Sequence, residues 1–251
     1  MARFDGRTAW VTGTETPLGQ AIAYALAAEG CSLLLSGITE PPAGITAQCY
    51  PHNPIDDKEA SEALHGFGPL DYYVHAAGHV ETVSIQNCPV EVWEKEMDIN
   101  LMTAWCGARA AVRAIGKNRG GAMVFLSSIH DEKPTGSSFL YSVAQGAISM
   151  IMREASLDYG RLGIRVNLVE AGPVLGDETK YPLLFSDLYD AMDAKIPRGH
   201  PADPAEIAKP VLFLLSEEAS YINGATLRVD GGFLGYYGDG DSERRWANGN
   251  S

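Results

Sequence analysis

The stretch TAWVTGTETPLG (8–19) decides the fold. Its first four residues, TAWV (8–11), are apolar, β-branched or aromatic and predict a buried strand. A turn containing Gly13 follows, and a helical pattern then runs from Leu18 to Glu29. Strand, glycine turn and helix in that order is the context in which a dinucleotide fingerprint is credible. The reason is physical: a helix N-terminus offers free N–H groups and a positive dipole end to a pyrophosphate.

Working outward, short apolar runs alternate with longer helical patterns. Further strands are predicted at SLLLS (32–36), AQCY (47–50), LDYYVHA (70–76), AMVFLSS (122–128), IRVNLV (164–169) and ATLRVDG (225–231). Helices fill 90–116, 139–160 and 203–216, the last opened by Asp203 as N-cap and Pro204 in the first turn. Apolar strands alternating with helices imply a doubly wound, seven-stranded parallel sheet covered on both faces, of the Rossmann type. No internal repeat or linker interrupts it, so residues 1–232 read as one domain. Residues 233–251 form a polar, glycine-rich tail with no period and four aromatics, Phe233, Tyr236, Tyr237 and Trp246.

The net charge of -13 excludes nucleic acid and anionic membrane as expected partners, since both need a basic surface. No apolar run approaches the roughly 18 residues of a membrane span, and MARFDGRTAWVTG has no leader-like apolar core. Cys31, Cys49, Cys88 and Cys106 form no C-x-x-C pair and read as buried or half-buried thiols of a reducing compartment. A cytoplasmic location is the expectation. The six histidines are scattered without a metal-ligand spacing, so no metal site is predicted.

Later motifs extend the fingerprint. HAAG (75–78) follows the fourth strand, Asn100 lies in MDINLMTAW, and FLSS ends the fifth strand at Ser128. YSVAQ (141–145) begins 13 residues past Ser128, NLVEAGPV follows the sixth strand, and INGATLRVDGG closes the domain. This ordered set resembles the short-chain dehydrogenase/reductase family, from about Gly6 to Gly232. The resemblance implies a Rossmann-type fold, a tetramer, NAD(P)-dependent oxidoreductase chemistry, and a catalytic tetrad at Asn100, Ser128, Tyr141 and residue 145. It places the cofactor along Gly13, Pro17, Gly19, Ala77, Gly78 and Gly172.

Several of those positions depart from the family's pattern. Residue 145 is Gln where the family has the Lys whose charge lowers the phenol pKa and whose ammonium grips a ribose. Pro17 stands at a family glycine, adding a ring and removing an N–H donor. Glu15 adds a negative charge to a loop expected to face the pyrophosphate. SGIT (36–39) has neither the acid that holds an NAD ribose nor an Arg for a 2′-phosphate. Only Asn53 could imitate the family's adenine-contacting Asp, and Gly176 replaces a Thr of the lid motif.

Four of these changes, Pro17, Gln145, Gly176 and the missing ribose partner, bear on one ligand. The resulting expectation is a vestigial site that binds no cofactor tightly. The chain then reads as a non-catalytic subunit assembled with an active family paralogue that carries the NAD(H). The hydroxyacyl-CoA dehydrogenase of anaerobic toluene degradation, in benzylsuccinate β-oxidation, has such an arrangement, and this chain resembles a candidate for its inactive subunit. Two alternatives stay open. One is an active NAD(H)-dependent alcohol dehydrogenase or ketoreductase with a Tyr-x-x-x-Gln site. The other is a cofactor-free lyase or dehalogenase using Ser128, Tyr141 and His130, although dehalogenases of this fold carry Arg where Gln145 stands.

Overall fold

A computed structural model of the chain describes residues 2–116, 120–134, 136, 138–176 and 195–236. Seven strands form one sheet: β1 (Thr8–Thr12), β2 (Ser32–Ser36), β3 (Ala47–Tyr50), β4 (Tyr72–His75), β5 (Gly121–Ser128), β6 (Ile164–Ala171) and β7 (Thr226–Val229). Their spatial order is β3-β2-β1-β4-β5-β6-β7 and every pairing is parallel, as the alternating pattern predicts. The order reverses between β1 and β4, so the loops after these two strands part and leave a crevice at their carboxyl ends.

Two cores sandwich the sheet, because side chains alternate along each strand. On one face Ala9, Val11, Leu33 and Val124 pack with Ile22 and Leu26 of α1 (Pro17–Ala28) and Val211 of a later helix. On the other Trp10, Tyr73, Met123 and Phe125 meet helices described below. Trp10 is fully buried, and its indole N–H donates to Ser36 Oγ at 2.8 Å, which satisfies the one polar atom it takes inside.

Two features were not legible in the sequence. A short helix α2 (Asp57–Ala63), capped by the Asp56 carboxylate, follows β3. The single helix expected over 90–116 is instead α3 (Val90–Met97), a π-turn over Asp98–Met102 and α4 (Thr103–Ile115). The side chain of Asn100 explains the break. Its Nδ2 donates to the carbonyl of Glu96 at 2.9 Å, the acceptor that the backbone of residue 100 would use in an α-helix. The ladder widens by one residue, and the Thr103 N–H reaches back to the carbonyl of Asp98. α5 (Phe139–Tyr159) then covers β5 and β6. α6 (Pro204–Leu215) begins at Asp203 in a capping box with Glu206, as the Asp-Pro pair predicts. Arg165 on β6 donates to the carbonyls of Leu214, Leu215 and Ser216, closing the far end of that helix.

All four cysteines are free, with Cys31 and Cys106 buried. Among the described residues no helix is long and apolar enough to cross a membrane. Of the tail, residues 233–236 are described: Phe233 and Tyr236 are half-buried, and the Asp230 carboxylate accepts the N–H groups of Gly232 and Leu234. Tyr237 and Trp246 lie outside the described residues.

The β6–β7 register places Glu170 opposite Arg228, whose Nε donates to Glu170 Oε2 at 2.7 Å while its Nη2 lies 2.6 Å from Glu132. Burial pushes the Glu170 carboxyl up to about 7; Arg228 opposes this and Asp131 adds to it. The folded state therefore holds a proton that the unfolded chain releases above its reference value of 4.5. Stability should fall as pH rises from there to about 7, with the cost fully present above. Glu170→Gln should flatten this slope by on the order of 2 kcal/mol in urea titrations between pH 4.5 and 8. Parallel pH curves for the two proteins would contradict this.

Candidate functional site

The crevice is bounded on its inner side by the glycine loop. Gly13 has φ +80°, and a Cβ there would sit 2.1 Å from the backbone nitrogen of Ala77. Gly19, one turn into α1, would place a Cβ 2.1 Å from the carbonyl oxygen of Gly13. Gly172 similarly abuts the Cα of Asp230. The glycines of the fingerprint are thus demanded by the chain's own packing. Gly78 is not: a Cβ there would meet Asn100 Oδ1 at 3.7 Å and Tyr141 Cε2 at 3.8 Å, ordinary contact distances.

The first turn of α1 is poor in donors. Pro17 occupies N1, the structural position that suits a proline, and has no N–H. The Gly19 N–H is taken by the Thr16 hydroxyl at 3.0 Å, and the Thr16 hydroxyl itself donates to the carbonyl of Gly13 at 2.8 Å. Gln20 N–H bonds the carbonyl of Thr16. Leu18 is left to supply the turn's N–H for an anion.

Glu15 does not face that turn, contrary to the expectation from sequence. Its carboxylate accepts from Asn53 Nδ2 at 2.7 Å and lies against Gly37, just past the end of β2. Asn53 Oδ1 in turn accepts the Gly13 N–H at 2.7 Å. The physical reason is that Gly37, with no side chain, opens the space and Asn53 supplies the donor. A carboxylate thus reaches the strand end that SGIT leaves without one, but it comes from the neighbouring loop. Asn53, the candidate adenine contact, is committed to this Gly13–Asn53–Glu15 chain.

The tetrad positions are brought together. Ser128 at the end of β5 and Tyr141 and Gln145 on α5 line one small cavity with Leu18, Ala77 and Gly172. Ser128 Oγ accepts the His130 N–H at 3.3 Å, and the buried His130 ring meets Tyr141 edge-on at 5.5 Å. Gln145 is 2% exposed, so the position offers an amide where a cation would be needed to draw down a phenol. Asn100 is fully buried and accepts the His79 N–H at 2.9 Å, which ties the π-turn to the loop after β4.

The cavity measures about 50 Å³, room for a water or two, against the several hundred Å³ of typical ligand sites. Gly176, from the loop after β6, closes toward Pro17, and a Cβ on it would lie 3.8 Å from that ring. The outer part of the crevice is different. It offers about 830 Å³ between the glycine loop, the ends of β2 and β3, and α3, and its lining includes Glu15, Glu91, Glu94, Asp98, Lys95 and His79. Its carboxylates outnumber its cations, which is unfavourable for an anionic dinucleotide. The outer crevice has room for an adenosine-sized group, whereas the inner cavity in this structure is smaller than a nicotinamide. On donors, space and charge these residues fit an NAD(P) molecule poorly.

One pair escaped the sequence reading. The fully buried Glu96 of α3 places Oε1 2.8 Å from His79 Nδ1, beside Asn100. The two residues are far apart in sequence and belong to no motif, so only the fold brings them together.

Comparison with known proteins agrees with the fold. The family model described as enoyl-(acyl carrier protein) reductase matches residues 13–234. The chain is 30% identical to a glucose 1-dehydrogenase of Gluconobacter oxydans, covering 98% of this chain and 97% of that protein. It is 31% identical to glucose 1-dehydrogenase 2 of Bacillus subtilis, over 92% of this chain and 96% of that one. Among solved structures, a gluconate 5-dehydrogenase from Burkholderia cenocepacia in complex with NADP and tartrate superposes with a TM-score of 0.86 at 24% identity, over 94% of this chain and 98% of that one. The chain, with its Gly13–Gly19 loop and this strand order, therefore belongs to the short-chain dehydrogenase/reductase family.

Proposed function

We propose that this chain is a non-catalytic member of its family, kept as a subunit beside a cofactor-competent paralogue. The complex in view is the hydroxyacyl-CoA dehydrogenase of anaerobic toluene degradation. The observation that carries this reading is the inner crevice: a neutral, buried Gln145 beside Tyr141 around about 50 Å³ of space. A neutral amide cannot supply the positive charge that would favour a phenolate over a phenol. Pro17 and the committed Gly13 N–H add to it, since both withdraw donors from the anion subsite.

An active NAD(H)-dependent dehydrogenase is the rival reading. It is favoured by the Glu15 carboxylate beside Gly37, where it could accept from ribose hydroxyls, and by the dehydrogenase activity named for the relatives. The cofactor-free lyase or dehalogenase gains no such support: Ser128 Oγ is joined to His130 through the backbone N–H and not through the imidazole, whose ring meets Tyr141 edge-on.

The face formed by α4 and α5 suits a partner subunit. Trp105, Met150 and Leu157 are 43%, 52% and 77% exposed, and Arg109 stacks on Trp105 at 5.1 Å. Such a contiguous apolar face rimmed by charge is the composition of a subunit contact. The tail begins from a fixed point, with Lys133 Nζ donating to the carbonyl of Leu234 at 3.2 Å. We propose that Phe233 or Tyr236 packs against the neighbouring subunit in the assembly.

Gln145→Lys alone should not create dehydrogenase activity. Turnover of a ketone with NADH at about 1 per second or faster in that single mutant would hand the case to the rival reading. In co-expression with an active paralogue, Trp105→Glu/Met150→Glu should abolish co-purification, a loss of a few kcal/mol if either residue is a hot spot. An unchanged complex would remove α4 and α5 from the interface. Deleting everything after Gly232 should weaken the complex or shift the paralogue's KM, and identical assembly and kinetics would leave the tail no such role.

A further inference from the structure

We propose that His79, Glu81 and Glu96 form a binding site for one divalent transition-metal ion at the rim of the outer crevice. The inference is independent of whether the chain is catalytic. One imidazole nitrogen and two carboxylate oxygens converge there, all within 4.8 Å of one another. An ion held at roughly 2.1 Å by such donors sets cis donors about 3 Å apart. His79 Nδ1 and Glu96 Oε1 already stand 2.8 Å apart, so an ion enters their shared edge with a shift of a few tenths of an ångström.

Burial makes Glu96 the deciding residue. Its side chain is fully excluded from solvent, and a carboxylate so placed is costly unless a cation or strong donors compensate it. Asn100 Nδ2 approaches Oε2 at a long 3.3 Å, and the short contact is to His79. Either a proton on His79 or a metal ion can supply the positive charge, and Glu81 supplies a third donor that a simple ion pair does not need. The His79 side chain is 47% exposed, which leaves a path of entry and room for water in the remaining coordination positions.

The outer shell is in place as well. Asn100 donates to Glu96 and accepts the His79 backbone N–H at 2.9 Å, so one fully buried amide orients both elements that carry the donors. Glu91, Glu94 and Asp98 line the same crevice and raise the local concentration of cations. One imidazole with two carboxylates suits Zn²⁺, Mn²⁺ or Fe²⁺ better than a soft ion, which would require thiolates. The histidines show no ligand spacing in sequence because this set takes one histidine and draws a carboxylate from a helix 17 residues further on.

The test is calorimetric titration of the tag-free full chain, stripped with chelator, with Zn²⁺ and separately with Mn²⁺. One equivalent should bind Zn²⁺ with a Kd of about 10 μM or below. His79→Ala and Glu81→Gln should each weaken binding by more than about 100-fold, beyond the usual effect of an outer-shell change. Glu218→Gln, an exposed carboxylate outside the crevice, should leave the affinity unchanged. Glu96→Gln risks the fold because Glu96 is buried, so the variant at the half-exposed His79 decides the outcome. Absence of saturable binding by either ion below about 1 mM, or an affinity that His79→Ala leaves intact, would overturn the site and leave His79–Glu96 as an ion pair.

Discussion

The close approach of three backbones at Gly13 is the constraint on which the rest depends. The loop after β1 passes so near the loop after β4 that a Cβ on Gly13 would fall 2.1 Å from the nitrogen of Ala77. α1 then docks on the same point, with Gly19 against the carbonyl of Gly13. This contact fixes the switch between β1 and β4, and hence where the crevice opens. It also separates fingerprint from function. The glycines are held by internal packing, so a chain that had ceased to bind a dinucleotide would still need them.

Around that fixed point the crevice has been filled from within. The Gly13 N–H goes to Asn53, the Asn53 amide goes to Glu15, and Glu15 lies on Gly37. Pro17 removes a donor from α1 and Gly176 closes toward its ring. What remains is a narrow inner cavity and a broad outer one with an excess of carboxylates. Each substitution is compatible with a stable fold, and Pro17 even suits its place at the start of a helix. The departures from the family's pattern fall on the crevice side, while the helix face bearing Trp105 and Met150 is apolar and exposed.

Much of the fold was legible in the sequence because buried parallel strands read as short apolar runs, and all seven lie where those runs predict, to within a few residues. Ser128, Tyr141 and Gln145 were legible as a group only through the family resemblance, and they do share a cavity. Side-chain direction was not legible. Glu15 was expected toward the pyrophosphate, yet Gly37 and Asn53 turn it to the end of β2. The π-turn was hidden because periodicity does not report that the Asn100 amide competes for a helix carbonyl. The His79–Glu96 contact was invisible for a related reason: its partners lie on separate elements and neither carries a motif.

The proposal turns on this chain binding no dinucleotide tightly, and direct titration of the isolated chain with NADH and NADPH tests it most simply. Calorimetry should show no saturable binding of either below about 1 mM. A dissociation constant in the low micromolar range, roughly -8 kcal/mol of binding free energy, would contradict it. Binding of that strength would mean that the crevice opens readily and that Glu15 serves the ribose.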